Sequence, residues 1–365
     1  MIPQPPEIDR KIGMLTYLTR HPSINARLRE RLSDFIVDEV LMGRRASRVL
    51  LGLEDFPSDG PYTYLVVAKF RRMDTRELVS LVARLTGGKV RYAGLKDARA
   101  LTFQFLSLEG RYRLATITNG LLVRPVGRCR EPISRGMNDG NHFTIVVRGT
   151  SKLPEIEAFP NFFSYQRFGL SSPFNHDIGK ALIQRRLKEA VSMIEEQGYE
   201  VGSARSMRQL ADILGRDLLR LYVHAYQSYL FNLLLSKRIE IGLEPVEGDF
   251  VLKPSGEISL YPEEGELLLP IVGAMTREAR GWLKEAISEL LEREGVKKEM
   301  FLFRELPEVS ALGGFRKALG RAKDLRIVSR EGYVALSFFL EAGSYATSYL
   351  RELLKSRDPL AQGFV

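Results

Sequence analysis

Polar and apolar positions change texture three times along the chain. Residues 61–70, PYTYLVVAKF, alternate as a half-buried strand does, and Asp74 then opens a helix with Glu77 at the capping-box position. Leu78, Leu81, Val82 and Leu85 form the apolar stripe of that helix, and Gly87-Gly88 ends it. Short strands are predicted over VRYAG and near TFQFLSL, which places Leu95-Lys96-Asp97 on the connection between them. LLVRPV and HFTIVVR read as further strands, separated by GRCREPISRGMNDGN, rich in arginine and turn formers. From about residue 174 helical spacing takes over, in 175–197, 206–214, 216–239 and 276–294. Strand texture returns at RIVS and YVALSFFL, a last helix starts near Tyr345, and a short tail follows Lys355. A helical block enclosed by β-rich segments predicts an α+β domain interrupted by a mostly helical insertion.

A length of 365 residues suits two domains or one domain with a large insertion. The 44% hydrophobic and 27% charged shares are those of an ordinary soluble protein, and no apolar run is long enough to span a membrane. The first residues, MIPQPPEIDRKIGMLTYLTRHPS, lack the uninterrupted apolar stretch of an export signal, so a cytoplasmic location is expected. The single cysteine, Cys129, excludes an intrachain disulfide and a Cys-rich zinc site, and four scattered histidines give no metal-ligand spacing. No metal and no membrane partner are therefore expected. The net charge of +9 makes nucleic acid the leading partner class.

Missing motifs exclude whole reaction classes. The chain has no GxxxxGK[ST] phosphate loop, no GxGxxG after a strand, no H-x-E with P-C-x-x-C, and no GxSxG elbow. What remains is chemistry by a few ionisable side chains acting on a bound polyanion. Asp97 is the candidate, since a carboxylate on a strand connection can act as nucleophile, general base or metal ligand. Lys96 is adjacent, and on extended backbone it points to the other side. A lysine and an aspartate side by side are also what a solvated turn shows.

The stretch GLKDARALTFQ resembles the signature GxKDxxAxTxQ of the TruD family of RNA pseudouridine synthases, at Gly94, Lys96, Asp97, Ala100, Thr102 and Gln104. SDFIVDEV, GNHFTIVVR, NFFSYQRFG, AYQSYLFN and GSYATSYLREL resemble the same family in the same order. The resemblance implies a pseudouridine-synthase core with a mixed, largely antiparallel sheet, formed by residues 1–160 and 318–365 around an inserted TRUD-type domain at 161–317. It implies isomerisation of a uridine in structured RNA, position 13 of tRNA, without cofactor, by a protein taken to be monomeric. Asp97 matches the family's catalytic aspartate, which attacks either the base or the sugar of a flipped nucleotide. Asn141 and Phe143 match positions lining the uracil pocket; an amide offers a donor and an acceptor, and a phenyl face can stack on a base. Phe143 on an alternating strand is equally what a core residue looks like. Lys96 is carried over as a substrate-binding residue.

Arg351, in SYLREL, is the candidate cation beside Asp97 or else a helix-surface arginine next to Glu352. Arg29 stands where family members often carry a lysine; it keeps the charge but does not readily give up a proton, which matters only if that site needs a neutral amine. Phe162 and Ser164 replace a more usual Tyr and Gly, and LEAGSYAT a more usual LPKGSYAT. Arg124, Arg128, Arg130 and Arg135 cluster in the turn-rich stretch and are the candidate contacts to the RNA backbone. Gln166 and Arg167 sit where the texture changes, fitting a domain join or RNA. Two other readings stand beside the enzyme: a non-catalytic RNA-binding or RNA-remodelling protein on the same fold, and an RNA methyltransferase, for which no glycine-rich strand-to-helix turn is present.

Overall fold

The computed structural model describes residues 3–113, 115–170, 172, 174–202 and 204–364. It divides into two compact units, Ser23–Ala158 with Gly320–Val365, and Met1–Pro22 with Phe159–Leu319. No helix among the described residues is long and apolar enough to cross a membrane.

The first unit is built on one large mixed sheet. Its principal strands are β1 (Phe35–Leu41), β2 (Tyr62–Lys69), β3 (Val90–Tyr92), β4 (Leu101–Glu109), β5 (Leu121–Cys129), β6 (Gly140–Arg148), β7 (Lys323–Arg330) and β8 (Tyr333–Glu341). The order is β7-β8-β6-β1-β4-β2-β5, with β3 paired to β4. The β1–β4 pair is parallel and the other principal pairs are antiparallel. One face is covered by α1 (Ala46–Leu50), whose Val49 and Leu50 pack with Tyr64, Val66, Ala68 and Phe105. The other face carries α2 (Thr75–Thr86) and α3 (Ala346–Leu354). The Asp74 carboxylate caps α2 by accepting from the Glu77 N–H at 2.8 Å, and Gly87 closes it at φ +68°. Leu78 and Val82 of α2 pack on Leu65, Val67 and Leu106, while Tyr349 of α3 packs on Phe338 with ring centroids 4.7 Å apart.

Two sequence expectations for this unit need correction. β5 runs on past the expected strand LLVRPV, which carries Arg124, as far as Cys129, so Arg128 lies on the same strand rather than in a turn-rich loop. The antiparallel ladder to β2 holds them there, with a bulge that places both Leu65 and Tyr64 opposite β5 across Pro125 and Gly127. Nor is the stretch after Lys355 a loose tail. Pro359–Phe364 turns back on the segment 25–29, the Leu28 N–H donates to the Gln362 carbonyl at 2.9 Å, and Phe364 is buried.

The second unit centres on the helix Arg216–Ile241, which packs against Asn175–Ile183. The predicted helix over 175–197 is broken at Arg185, whose φ is +61°, into Asn175–Ile183 and Leu187–Glu196. The unit is not helical throughout: Ile258–Leu260, Phe250–Leu252, Glu266–Ile271 and Gly314–Lys317 form an antiparallel sheet in that order. The described residues 3–22, expected with the core, join this unit instead. Asn232 donates to the Ile12 carbonyl at 2.8 Å and Ser236 to the Gly13 carbonyl at 2.9 Å, pinning the N-terminal segment to the long helix. A buried Arg238–Asp249 pair, 2.8 Å apart, with Trp282 donating to the same carboxylate, ties that helix to the small sheet.

Candidate active site

Cross-strand partners share a face of a sheet, so the register puts an unusual row of polar side chains on one side. Lys69 lies opposite Thr102, and Val67 opposite Gln104. Val37 lies opposite Thr102 and Phe143, Glu39 opposite Asn141, and Phe143 opposite Phe338. Lys69, Thr102, Gln104, Glu39 and Asn141 therefore all occur on the face that also carries α2 and α3. All but Asn141 are buried. Thr102 Oγ1, Gln104 Oε1 and Asn141 Oδ1 have no hydrogen-bond partner among the described residues, an arrangement that a ligand or water would complete.

Asp97 sits over this face on the β3–β4 connection. Its Oδ1 accepts the Arg99 N–H at 2.9 Å, and its Oδ2 accepts from Arg29 Nη2. The loop is held from below by Lys69, whose ammonium donates to the carbonyls of Asp97 at 2.8 Å, Met73 at 2.9 Å and Ala98 at 3.2 Å. Burial pushes the Lys69 amine down to about 8, against the opposing pull of Asp97, Asp74 and Glu77. Thr75 Oγ1 accepts the Lys96 N–H at 2.8 Å, and Gln104 donates to the Gly94 carbonyl at 2.8 Å. The backbone either side of the carboxylate is thus fixed by three separate elements of the unit, β2, α2 and β4.

Arg29 is a cation beside Asp97. Its side chain is 1% exposed against 18% for the aspartate. It bridges Asp97 to the Gly363 carbonyl, 2.9 Å from Nη1, and lies 3.9 Å over the Phe35 ring. Burial lowers the guanidinium, and the nearby Arg99 lowers it further, while Asp97 opposes both. Arg29 is in the left-handed region, with φ +54°, where a non-glycine residue is strained by about 1–3 kcal/mol. The segment is clamped into that shape by the reciprocal backbone bonds of Arg27 and Arg148 and by the Leu28–Gln362 bond. Since the contact at this position is to a carboxylate, an arginine serves it, and the substitution for lysine noted in the sequence leaves the pairing intact.

The other expected residues divide. Lys96 points to Glu39: its ammonium is 2.5 Å from the Glu39 carboxylate, with exposures of 5% and 0%, and the second Glu39 oxygen accepts the Phe105 N–H at 2.8 Å. Its charge is thus committed to a buried carboxylate instead of standing open to substrate. Phe143 is buried, stacked on Phe338 at 5.5 Å and edge-on to Phe35 at 6.2 Å, in the manner of a core aromatic. Arg351 is also buried, which overturns its reading as a helix-surface residue; it donates to the Ser356 carbonyl at 3.1 Å and lies 5.0 Å over the Phe364 ring.

The four arginines expected to act together do not share one surface. Arg124, opposite Val66, donates to the Leu50 carbonyl on the α1 side, whereas Arg128 is opposite Thr63, on the Lys69 side. Arg130 is an exposed partner of Asp59, and Arg135 stacks on Tyr92 at 3.9 Å. Gln166 and Arg167 lie in the short helix Tyr165–Phe168 of the second unit. The sequence reading missed Lys69 and Glu39. Their signal was available in part: each is a charged residue at an inward-facing position of a strand rich in apolar residues. Among the described residues no group of three or more His, Cys, Asp or Glu side chains is placed to hold a metal ion.

The sequence profile of the family described as tRNA pseudouridine synthase D (TruD) matches residues 11–211 and 195–353. A probable tRNA pseudouridine synthase D of Pyrobaculum islandicum is 35% identical over 100% of both chains. A protein of the same description from Pyrobaculum neutrophilum is 33% identical, again over 100% of each. The crystal structure of a Methanosarcina mazei chain described as TruD matches with a TM-score of 0.71 at 25% identity, covering 97% of this chain and 99% of that one. With a profile that spans most of the sequence, relatives similar from end to end, and Asp97 presented on the strand connection that the GxKDxxAxTxQ stretch forms, the chain belongs to the TruD family of tRNA pseudouridine synthases.

Proposed function

We propose that this protein converts the uridine at position 13 of tRNA to pseudouridine, with Asp97 as nucleophile and no cofactor. The observation that carries the reading is the built setting of one partly exposed carboxylate: a buried guanidinium on one oxygen, a backbone N–H on the other, and a buried ammonium under its own carbonyl. Such a group is held for attack, because its position is fixed before substrate arrives. The isomerisation breaks the bond from ribose to N1 and forms one from ribose to C5. N1 ends protonated and C5 gives up its proton, so no oxidant or co-reactant enters the balance.

The target nucleotide must leave its stack to reach Asp97, which costs a few kcal/mol. The detached uracil then has to be retained while it turns. Asn141 lies on the same sheet face with an acceptor awaiting a donor, and an imide N–H of uracil supplies one. Phe143, Phe338 and Phe35 form an apolar floor from which bulk water is excluded. In this reading Arg29 and Lys69 position the nucleophile, and the Lys96–Glu39 pair holds the loop that carries it. Arg351 acts through Phe364, which belongs to the same turn as the Gly363 carbonyl on Arg29.

The test is primer extension after carbodiimide treatment on two unmodified tRNA transcripts that differ only in having U or C at position 13. A stop that appears at position 13 of the first transcript and is missing from the second is the expected result. A stop elsewhere with both would move the target, and no stop on any tRNA despite binding would favour a non-catalytic protein.

A further inference from the structure

The first unit has a second charged feature, separate from Asp97. A cavity of about 330 Å3 opens between the ends of β2 and β5, lined by Ser58, Thr63, Arg111, Tyr112, Arg113 and Arg128 among others, none of them acidic. Three guanidinium groups around one concavity repel one another unless an anion joins them. None of the three forms an ion pair among the described residues, and Arg128 Nε is buried without a hydrogen-bond partner. Several other arginines of the unit do have a carboxylate partner: Arg148 has Asp34, Arg45 has Asp38, and Arg130 has Asp59, the carboxylate next in sequence to this cavity.

The walls are built rather than incidental. Gly127 brings β5 against Pro57, since a Cβ at that position would lie 2.1 Å from the Pro57 carbonyl. The Arg128 N–H donates to the same carbonyl at 2.7 Å, which fixes the base of the Arg128 side chain. Thr63 is anchored to the Gly110 carbonyl and Tyr112 to Thr116, so the hydroxyl-bearing walls are held as well.

We propose that this cavity is a phosphate subsite for the RNA substrate; the inference rests on the reading of the protein as an RNA-modifying enzyme. Guanidinium groups bind phosphate oxygens in pairs, and the volume is at the low end of ordinary ligand pockets, matching one phosphate with part of its sugar. Thr63 and Lys69 lie on the same face of β2, six residues apart, which at about 3.4 Å per residue sets the subsite roughly 20 Å from the loop that carries Asp97. A folded RNA spans that distance with its target nucleotide flipped out. The subsite therefore fixes how the RNA lies on the unit without reading its sequence.

The experiment compares wild type with the Arg111→Ala/Arg113→Ala variant, both changes being at exposed side chains, in RNA binding across a salt series and in steady-state turnover. The expected result is about tenfold weaker binding at 0.15 M salt and a salt slope reduced by about 1 to 2, with the loss appearing in KM. Restoring charge with Arg111→Lys/Arg113→Lys should recover most of the slope but less of the affinity, because lysine lacks the fork. Equal affinity and equal slope in wild type and the Ala variant would overturn the proposal. So would a thermal shift with inorganic phosphate that the variant loses while RNA binding is unchanged, which would mark a free-anion site. If wild type binds no RNA at all, the enzyme reading itself falls, and the subsite with it.

Discussion

Replacing Lys69 by methionine should leave the protein folded and yet disable it. The buried ammonium is held near 8 against an ordinary 10.5. At 1.36 kcal/mol per pH unit, its ionised form is about 3 kcal/mol less favourable than in water, a burden that methionine lacks. Against this, the Met73 and Asp97 carbonyls lose a buried donor, at about 1–3 kcal/mol each. The Ala98 carbonyl keeps the Met73 N–H at 3.3 Å. The two terms partly cancel, and the net change should lie between about 1 kcal/mol of stabilisation and about 3 kcal/mol of destabilisation. Function does not share in that cancellation, because the carbonyl that Lys69 holds belongs to Asp97 itself. A displacement of about 1 Å at a reacting group can lower a rate about a hundredfold.

The pH dependence separates the two roles. With a folded-state value below the unfolded one, the unfolded chain binds more protons between about pH 8 and 10.5, so this lysine makes the protein more stable as pH rises through that window. Over the same window the neutral amine has one N–H fewer to give to three carbonyls, so turnover should fall. Single-turnover rates and thermal denaturation, measured from pH 6 to 10 on wild type and Lys69→Met, test both trends. A Met variant with the wild-type rate, or one that keeps the wild-type alkaline limb, would refute the reasoning.

Three further outcomes follow from the site. Arg29→Met removes a buried partner of Asp97 and should destabilise by about 3 kcal/mol, with turnover down more than a hundredfold, whereas Arg29→Lys should retain part of both, as read by denaturant melts and single-turnover rates. Glu39→Gln leaves the Lys96 ammonium buried without its counter-charge and should destabilise by about 3–5 kcal/mol; in a double-mutant cycle, adding Lys96→Met should recover much of that loss, and strict additivity would contradict the pairing. Gly363→Ala forces a Cβ to 2.2 Å from the Leu28 carbonyl at φ +80°, so it should lower kcat more than it raises KM, and an unchanged kcat would show that the Gly363 carbonyl does not position Arg29.

Local signals in the sequence were enough for the framework around Asp97. The alternation of 61–70, the Asp74 cap and the glycines at 87–88 each act over a few residues, and the strand, helix and connection they predict are present. Periodicity also says which residues of a strand face the same way, but not which strands become neighbours. The Arg29–Asp97 contact joins residues 68 apart, and Glu39–Lys96 joins residues 57 apart, so neither has a local signature. The arginine-rich stretch misled for a related reason: its composition favours turns, but pairing of β5 with β2 outweighs that preference as far as Cys129. The segment after Lys355 looked like a tail because its docking partners, Asn25 to Arg29, lie at the other end of the unit's sequence.

The central claim is that Asp97 carries the chemistry, and single-turnover conversion of an unmodified tRNA transcript by Asp97→Asn, with the dissociation constant measured on the same RNA, tests it most directly. The account predicts binding within a few-fold of wild type and no detectable pseudouridine. Pseudouridine formed by the variant at a rate near that of wild type would contradict it.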